Sequence, residues 1–550
     1  MSQLLRTSET PPARELLARA AWADLDRLAA RHGIVLAGRR RDLALERLQT
    51  IYTQPERLRA AAGVLSEHGR ALLRLLLLLG SVEDERELAL ARERWLAVAP
   101  DAALQSAHLG SELATLQALG LLIADRRRLV VPAEVLAALS LELPPAAPPT
   151  TAPRSYAELR LTLQRLLTAL ATDEPSGAST PRRFDRLTAY RPRAMPADAA
   201  TALAGQLGLD ADELLWWLPL LEELGAATLV RGRWQVGEAW SSLQAQPPRT
   251  LLTALLDAWL RPRSASDLSG TGCVWVGAPD VEVAAVVAAH EARVRGIIWR
   301  WLRDARGEAV ARETLITALL ALHPWLAPPA DAPAWIALEG TSLAEPAPAQ
   351  AVAEALVAAA TRQLSWLGLV VADEQGLALT PLARWLDGAA APVSDAPAVH
   401  GADAALLLVD PLRVDAELLA LIQQAAELED AVGERLRYRL TPAGLARLEA
   451  AGHSIAAFEA RLRAAQARLE PAFTERLADW AARVGRLRLH APLSVLLTGA
   501  DVPLAGVLQA AGLSDRALLL GPGCALIEPE SVEAAVEQLR ARGFWPVVEQ

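Results

Sequence analysis

Three times in this chain a run of the form Leu-x-x-Leu-Gly is followed at once by a short apolar segment, a turn and a second short apolar segment. The three glycines are Gly120, Gly225 and Gly368. Leucines three residues apart share one helix face. A glycine directly after them takes the left-handed conformation that ends a helix at little steric cost. The third instance is the fullest. Leu369-Val370-Val371-Ala372 reads as a strand, Asp373-Glu374-Gln375-Gly376 as a turn and Leu377-Ala378-Leu379 as the returning strand. Thr380 is then placed to cap a new helix reaching Leu386, with Pro381 at its first position.

Helix, tight hairpin and helix are how a winged-helix unit ends. The expected architecture is therefore mainly α with short β-hairpins: a multi-domain array of winged-helix-like units plus a C-terminal small α/β module. At 550 residues the chain exceeds what one core supports. The expected segments are a helical module at 1–60, winged-helix-like units at 61–142, 155–245 and 246–388, and the α/β module at 401–550. The third unit would carry Ala327 to Gln350 as a loop insertion. Pro-rich linkers are expected at Leu143 to Arg154 and Gly388 to His400. The glycine stops lie 105 and 143 residues apart, unequal intervals that speak against a regular solenoid.

Composition limits the chemistry. The chain has no lysine and no asparagine, so every side-chain cation other than histidine is a guanidinium. A phosphate-binding loop with its lysine cannot be built here, nor can a Schiff base on lysine. The two cysteines, Cys273 and Cys524, indicate neither a disulfide framework nor a zinc cluster. The eight histidines lack the spacing of a helical metal pair, and no serine sits in a nucleophile elbow. The expectation is no enzyme, no cofactor and no metal. The longest apolar run, Ala71 to Leu79, is broken by Arg74 and is far too short to span a bilayer. No membrane partner is expected, and the location read from this is cytoplasmic, with nucleoid association.

Arginine clusters mark the candidate contacts. Residues 1–60 hold 11 arginines against 7 acids in a chain of net charge −10. A helix from Trp22 should stop at Gly33, and after Gly38 come Arg39, Arg40 and Arg41, then Leu43, Arg47 and Leu48. This stretch resembles a SAP module, with one extra residue between Leu43 and Arg47. The resemblance implies that the second helix and its basic start approach the DNA backbone. The first hairpin turn holds Arg126, Arg127 and Arg128, and the second Arg231 and Arg233, where guanidiniums can meet phosphates beside a recognition helix. The third turn is acidic and should not face phosphate. Arg182, Arg183, Arg186, Arg191 and Arg193 lie in a Gly/Ser/Pro-broken stretch that reads as an exposed loop.

Smaller expectations complete the reading. Asp84 to Glu87 supply first-turn acids to a helix. Ser111 and Asp210 cap helices, Ser269 to Cys273 form a turn, a helix runs from Ala416 to Glu427, and His453 caps a helix end. Twelve of the 16 tryptophans fall between Trp216 and Trp385, where helical spacing, as at Trp299 and Trp301, marks them as core.

The last 150 residues change character. The segments YRLTPAGLARLEAAGHS, ERLADWAARVGRLRL and LRARGFWP resemble the bacterial helicase-associated domain, which is similar to the N-terminal domain of XPB-type helicases. The resemblance implies a small module for DNA handling or partner docking beside a motor on another chain. Residues 400–550 carry 15 arginines against 20 acids, a balance that favours protein docking there. Three functions follow as expectations: a non-catalytic DNA-associated protein, a protein-interaction scaffold, and an accessory subunit to a separate helicase or nuclease.

Overall fold

The computed structural model describes residues 11–36, 40–126, 128–139, 146–173, 175, 188–190, 195–263, 266–277, 281–305, 308–329, 332–374, 376–392, 396–465, 467–490 and 494–549. The chain is mainly helical with several small sheets. It forms two compact units, each assembled from three segments. The first comprises Met1–Arg154, Glu174–Gly237 and Thr253–Ala390. The second comprises Ser155–Asp173, Glu238–Leu252 and Ala391–Gln550.

In the first unit the three glycine stops behave as the sequence dictates. Gly120, Gly225 and Gly368 have φ of 73°, 67° and 71°. They follow helices Leu109–Ala118, Ala211–Glu223 and Ala349–Trp366. The strand β1 (Ser81–Val82) lies beside a hairpin of β2 (Ile123–Asp125) and β3 (Arg128–Val130), giving a three-stranded sheet. The strand β4 (Thr188–Tyr190) belongs to another sheet, while β5 (Ala227–Val230) and β6 (Arg233–Val236) form the second hairpin. The strands β7 (Cys273–Gly277) and β8 (Ala334–Leu338) pair antiparallel, with β4 on the far side of β7. The third hairpin is β9 (Val370–Ala372) with β10 (Leu377–Leu379), and Thr380 caps the following helix by accepting from Ala383 N.

Several local expectations need correction. The expected loop over Ala327 to Gln350 contains β8, whose Ala334, Trp335, Ile336 and Ala337 are all buried. Their alternation was hidden because both faces of β8 are covered. Helix Leu109–Ala118 begins two residues before Ser111, whose Oγ donates to His108 O at 3.1 Å. Asp210 occupies an N-cap position without a side-chain cap bond. Asp84, in contrast, accepts from both Arg86 N and Glu87 N. Trp299 and Trp301 are core, and Trp301 Nε1 donates to Leu78 O at 2.9 Å.

The second unit holds two five-stranded sheets. The first contains β11 (Val399–Ala402), β12 (Leu406–Val409), β13 (Ala426–Val432), β14 (Arg435–Leu440) and β15 (Arg468–Leu469). The second contains β16 (Val484–His490), β17 (Val495–Thr498), β18 (Ala517–Gly521), β19 (Cys524–Ile527) and β20 (Trp545–Glu549). The spatial orders are β13-β14-β12-β11-β15 and β18-β19-β17-β16-β20. Both read third, fourth, second, first, fifth. In each only the first and fifth strands run parallel. Ala426 pairs with Leu440 as Ala517 pairs with Ile527, and a register shift follows Leu428 in one sheet and Leu519 in the other. One topology is therefore used twice. Two expectations change here. His400 lies in β11 and not in a linker, and helix Ala416–Ala425 gives way to β13. His453 N closes the end of helix Pro442–Ala450 by donating to Leu448 O at 3.1 Å, and Ser454 caps the next helix by accepting from Ala457 N.

Candidate nucleic-acid interface

The first hairpin has a two-residue turn, because Asp125 pairs directly with Arg128. Such a turn follows the twist of its strands when its residues take positive φ. Arg126 does so at 59°, and its side chain is exposed. Arg128 is also exposed, and its Nη2 donates to Ser81 Oγ at 2.9 Å, which ties one guanidinium nitrogen to β1. Asp125 is paired with Arg19 at 3.2 Å, so its charge is countered from the end of helix Ala13–Arg19.

The second hairpin repeats the device. Val230 pairs with Arg233, and the turn residues Arg231 and Gly232 have φ of 50° and 78°. Arg231 and Arg233 are exposed. Arginine in the left-handed region is sterically costly, and each of these two turns holds one there.

The third hairpin is built differently. Asp373 Oδ1 accepts from Gly376 N at 3.2 Å, and Oδ2 accepts from Thr150 N at 2.6 Å and Thr150 Oγ1 at 3.1 Å. Thr151 Oγ1 donates to Ala372 O at 3.2 Å. This hairpin anchors residues 150–151, in keeping with its acidic turn.

At the N-terminal segment the arginines divide. Arg40 stands at the N-cap of helix Arg41–Tyr52 with its side chain exposed. Arg41 turns back and donates to Ala20 O and Leu17 O, the terminal carbonyls of helix Ala13–Arg19. It is a C-cap first, since cations at a helix C-terminus satisfy otherwise orphaned carbonyls. Arg39, Arg127 and the arginines at 182, 183, 186, 191 and 193 lie outside the described residues.

A cation near the first hairpin escaped the sequence reading. Arg293 lies 3.9 Å from the centroid of the Trp325 ring. Desolvation holds its guanidinium below the ordinary range, with Arg128 pushing the same way and Glu87 and Glu83 opposing. A guanidinium over the face of an indole is a recurrent cation–π arrangement. The 32 residues separating Arg293 from Trp325 conceal it from any pattern search.

A buried polar network was missed as well. Asp267 accepts from Arg263 Nη2 at 2.8 Å, from Gln363 Nε2 at 3.1 Å and from Arg295 Nη1. Glu291 Oε1 accepts from Ser266 Oγ and Trp275 Nε1, each at 2.8 Å. Burial, reinforced by Asp267, pushes the Glu291 carboxyl up to about 8, with Arg295 opposing. Burial also pulls Arg263 down to about 10. Two carboxylates with displaced acidities resemble an acid–base pair. Arg263, Asp267, Glu291, Arg295 and Gln363 are 1–5% exposed and bond chiefly to one another and to tryptophans, an arrangement that cross-ties helices Pro248–Leu260, Val281–Asp304 and Ala349–Trp366.

Among the described residues no group of three or more His, Cys, Asp or Glu could hold a metal ion, and no helix is long and apolar enough to cross a membrane. Comparison of the sequence with protein-family models and with curated proteins gives no match.

Proposed function

We propose that this chain is a non-catalytic DNA-associated protein, accessory to a separate helicase or to a repair or transcription machine. Winged-helix-like units and the SAP-like N-terminal segment contact the DNA backbone. The observation that carries this reading is the pair of two-residue hairpin turns that each set an arginine in the left-handed region at their tip. Arg126, Arg128, Arg231, Arg233 and Arg40 are the phosphate contacts that this reading assigns, and Arg39 and Arg127 follow from their place in the sequence. The C-terminal sheets supply partner docking, as the helicase-associated resemblance implies.

The test is duplex DNA affinity measured against salt. Each phosphate contact removed should lower the slope of log K against log salt by about 0.9. Arg126→Ala with Arg128→Ala, and Arg231→Ala with Arg233→Ala, should each flatten it by about 2. Equal slopes for wild type and both variants would overturn the reading. A second reading, a protein-interaction scaffold, is favoured by the tethered acidic third hairpin and the capping role of Arg41. It predicts weak DNA binding and a stable protein partner.

A further inference from the structure

Because the two sheets of the second unit repeat one topology, each ladder position in one has a counterpart in the other. One edge strand of the first sheet is β13, and it is covered. Helix Tyr156–Asp173 contributes Ala157 and Leu161 to the core that holds Leu436, Tyr438 and Leu440. Arg165 Nη2 donates to Glu429 O at 2.6 Å, and Ser155 Oγ donates to Gly433 O at 2.8 Å. Glu429 is the bulge residue of this ladder, between Leu428 and Asp430. A bulge leaves its extra residue outside the regular pairing, and a backbone carbonyl so placed needs a donor. The helix supplies one.

The second sheet has the same edge and the same bulge. Its edge strand is β18, with the shift between Leu519 and Gly521, so Leu520 stands where Glu429 stands. No residue of β18 is charged. Leu518, Leu519 and Leu520 are 64%, 63% and 57% exposed. Register equivalence puts Leu518 and Leu526 where the first sheet has Glu427 and Arg439. Natural edges are ordinarily blunted by charge or covered, and three successive exposed leucines do neither.

We propose that β18 is the docking site for an amphipathic α-helix of a partner protein, laid along the edge as Tyr156–Asp173 lies along β13. The partner helix presents apolar residues to Leu519, whose counterpart Leu428 packs against the first core, and an arginine to the Leu520 carbonyl. A helix fits better than an added strand, because the bulge interrupts the even spacing of N–H and C=O groups that a new strand would pair with. This inference stands apart from the hairpin arginines and from DNA.

The probe is a fluorescent peptide of residues 155–173, the helix type already seen on the equivalent edge, titrated into the full chain by anisotropy. Saturable binding is expected. It should weaken at least tenfold with the protein variant Leu519→Glu, which puts a charge where Leu428 packs in the first sheet, and with the peptide variant Arg165→Ala. Leu519→Arg provides a second protein variant should the first fail to fold, and should weaken binding as much. No saturable binding, or binding indifferent to the edge variants, overturns the proposal. Sedimentation showing a dimer of the full chain that the same variants dissociate also overturns it, by assigning the edge to a second copy.

Discussion

At the residue scale, two adjacent arginines are held differently. Both are exposed, but Arg41 also closes the end of helix Ala13–Arg19. Arg41→Ala should therefore lower stability by about 1 kcal/mol, the worth of a hydrogen bond to a charged donor at a partly open site. It should change the salt slope of DNA binding little. Arg40→Ala should do the reverse, which thermal melts and affinity titrations on both variants will show. Glu291 gives a pH test. Its carboxyl titrates near 8 in the fold against an ordinary value of 4.5. Between those values the folded chain keeps a proton that the unfolded chain releases. Stability contributed here is present at low pH, falls as pH rises through that window and levels off above it. Gln at position 291 keeps the Oε1 acceptor for Ser266 and Trp275 and cannot ionise. Glu291→Gln should melt several degrees above wild type at about pH 9, and close to it at about pH 5. An equal shift at both pH values would remove the buried carboxyl as the cause.

At the element scale, the hairpins show what a turn residue is for. Gly232 has φ of 78° with open space where a Cβ would go, so Gly232→Ala meets only backbone strain, about 1 kcal/mol. At Gly368 the same change also drives a Cβ to 2.7 Å from Arg154 O. Gly368→Ala should thus cost clearly more than Gly232→Ala in thermal unfolding, and parity between them would show that the approach of Arg154 is relieved cheaply. These hairpins were legible in the sequence because glycine stops and β-branched runs act locally. The strand β8 was not, since burial on both faces removes alternation. The strand β13 was not either, since Ala426 continues a helical pattern up to the residue where the chain turns into the sheet. The hairpin arginines could be named from sequence. Whether a guanidinium also meets a helix end, as Arg41 does and Arg40 does not, depends on carbonyls 21 and 24 residues away, and Arg293 on Trp325 depends on a longer separation still.

At the scale of the whole molecule, the chain does not finish one compact unit before starting the next. Segment Ser155–Asp173 belongs with Ala391–Gln550, although more than 200 residues of sequence lie between them. A linear reading divides such a chain at its linkers and has no local signal for the return. The physical signal is the helix itself, whose Ala157 and Leu161 are buried among Tyr438, Leu436 and Leu440, with Arg160 4% exposed. Removing the helix would open that core along β13 and leave the bulge carbonyl of Glu429 without its arginine. A fragment of residues 391–550 should consequently melt at lower temperature than the same fragment mixed with a peptide of residues 155–173. The gain should rise with peptide concentration as ligand linkage requires, reaching about 2.7 kcal/mol at a hundredfold excess over Kd. The Arg165→Ala peptide should need a higher concentration for the same gain. If the fragment melts identically with and without the peptide, the sheet is self-sufficient, and the helix over β13 is a neighbour of the core instead of a part of it.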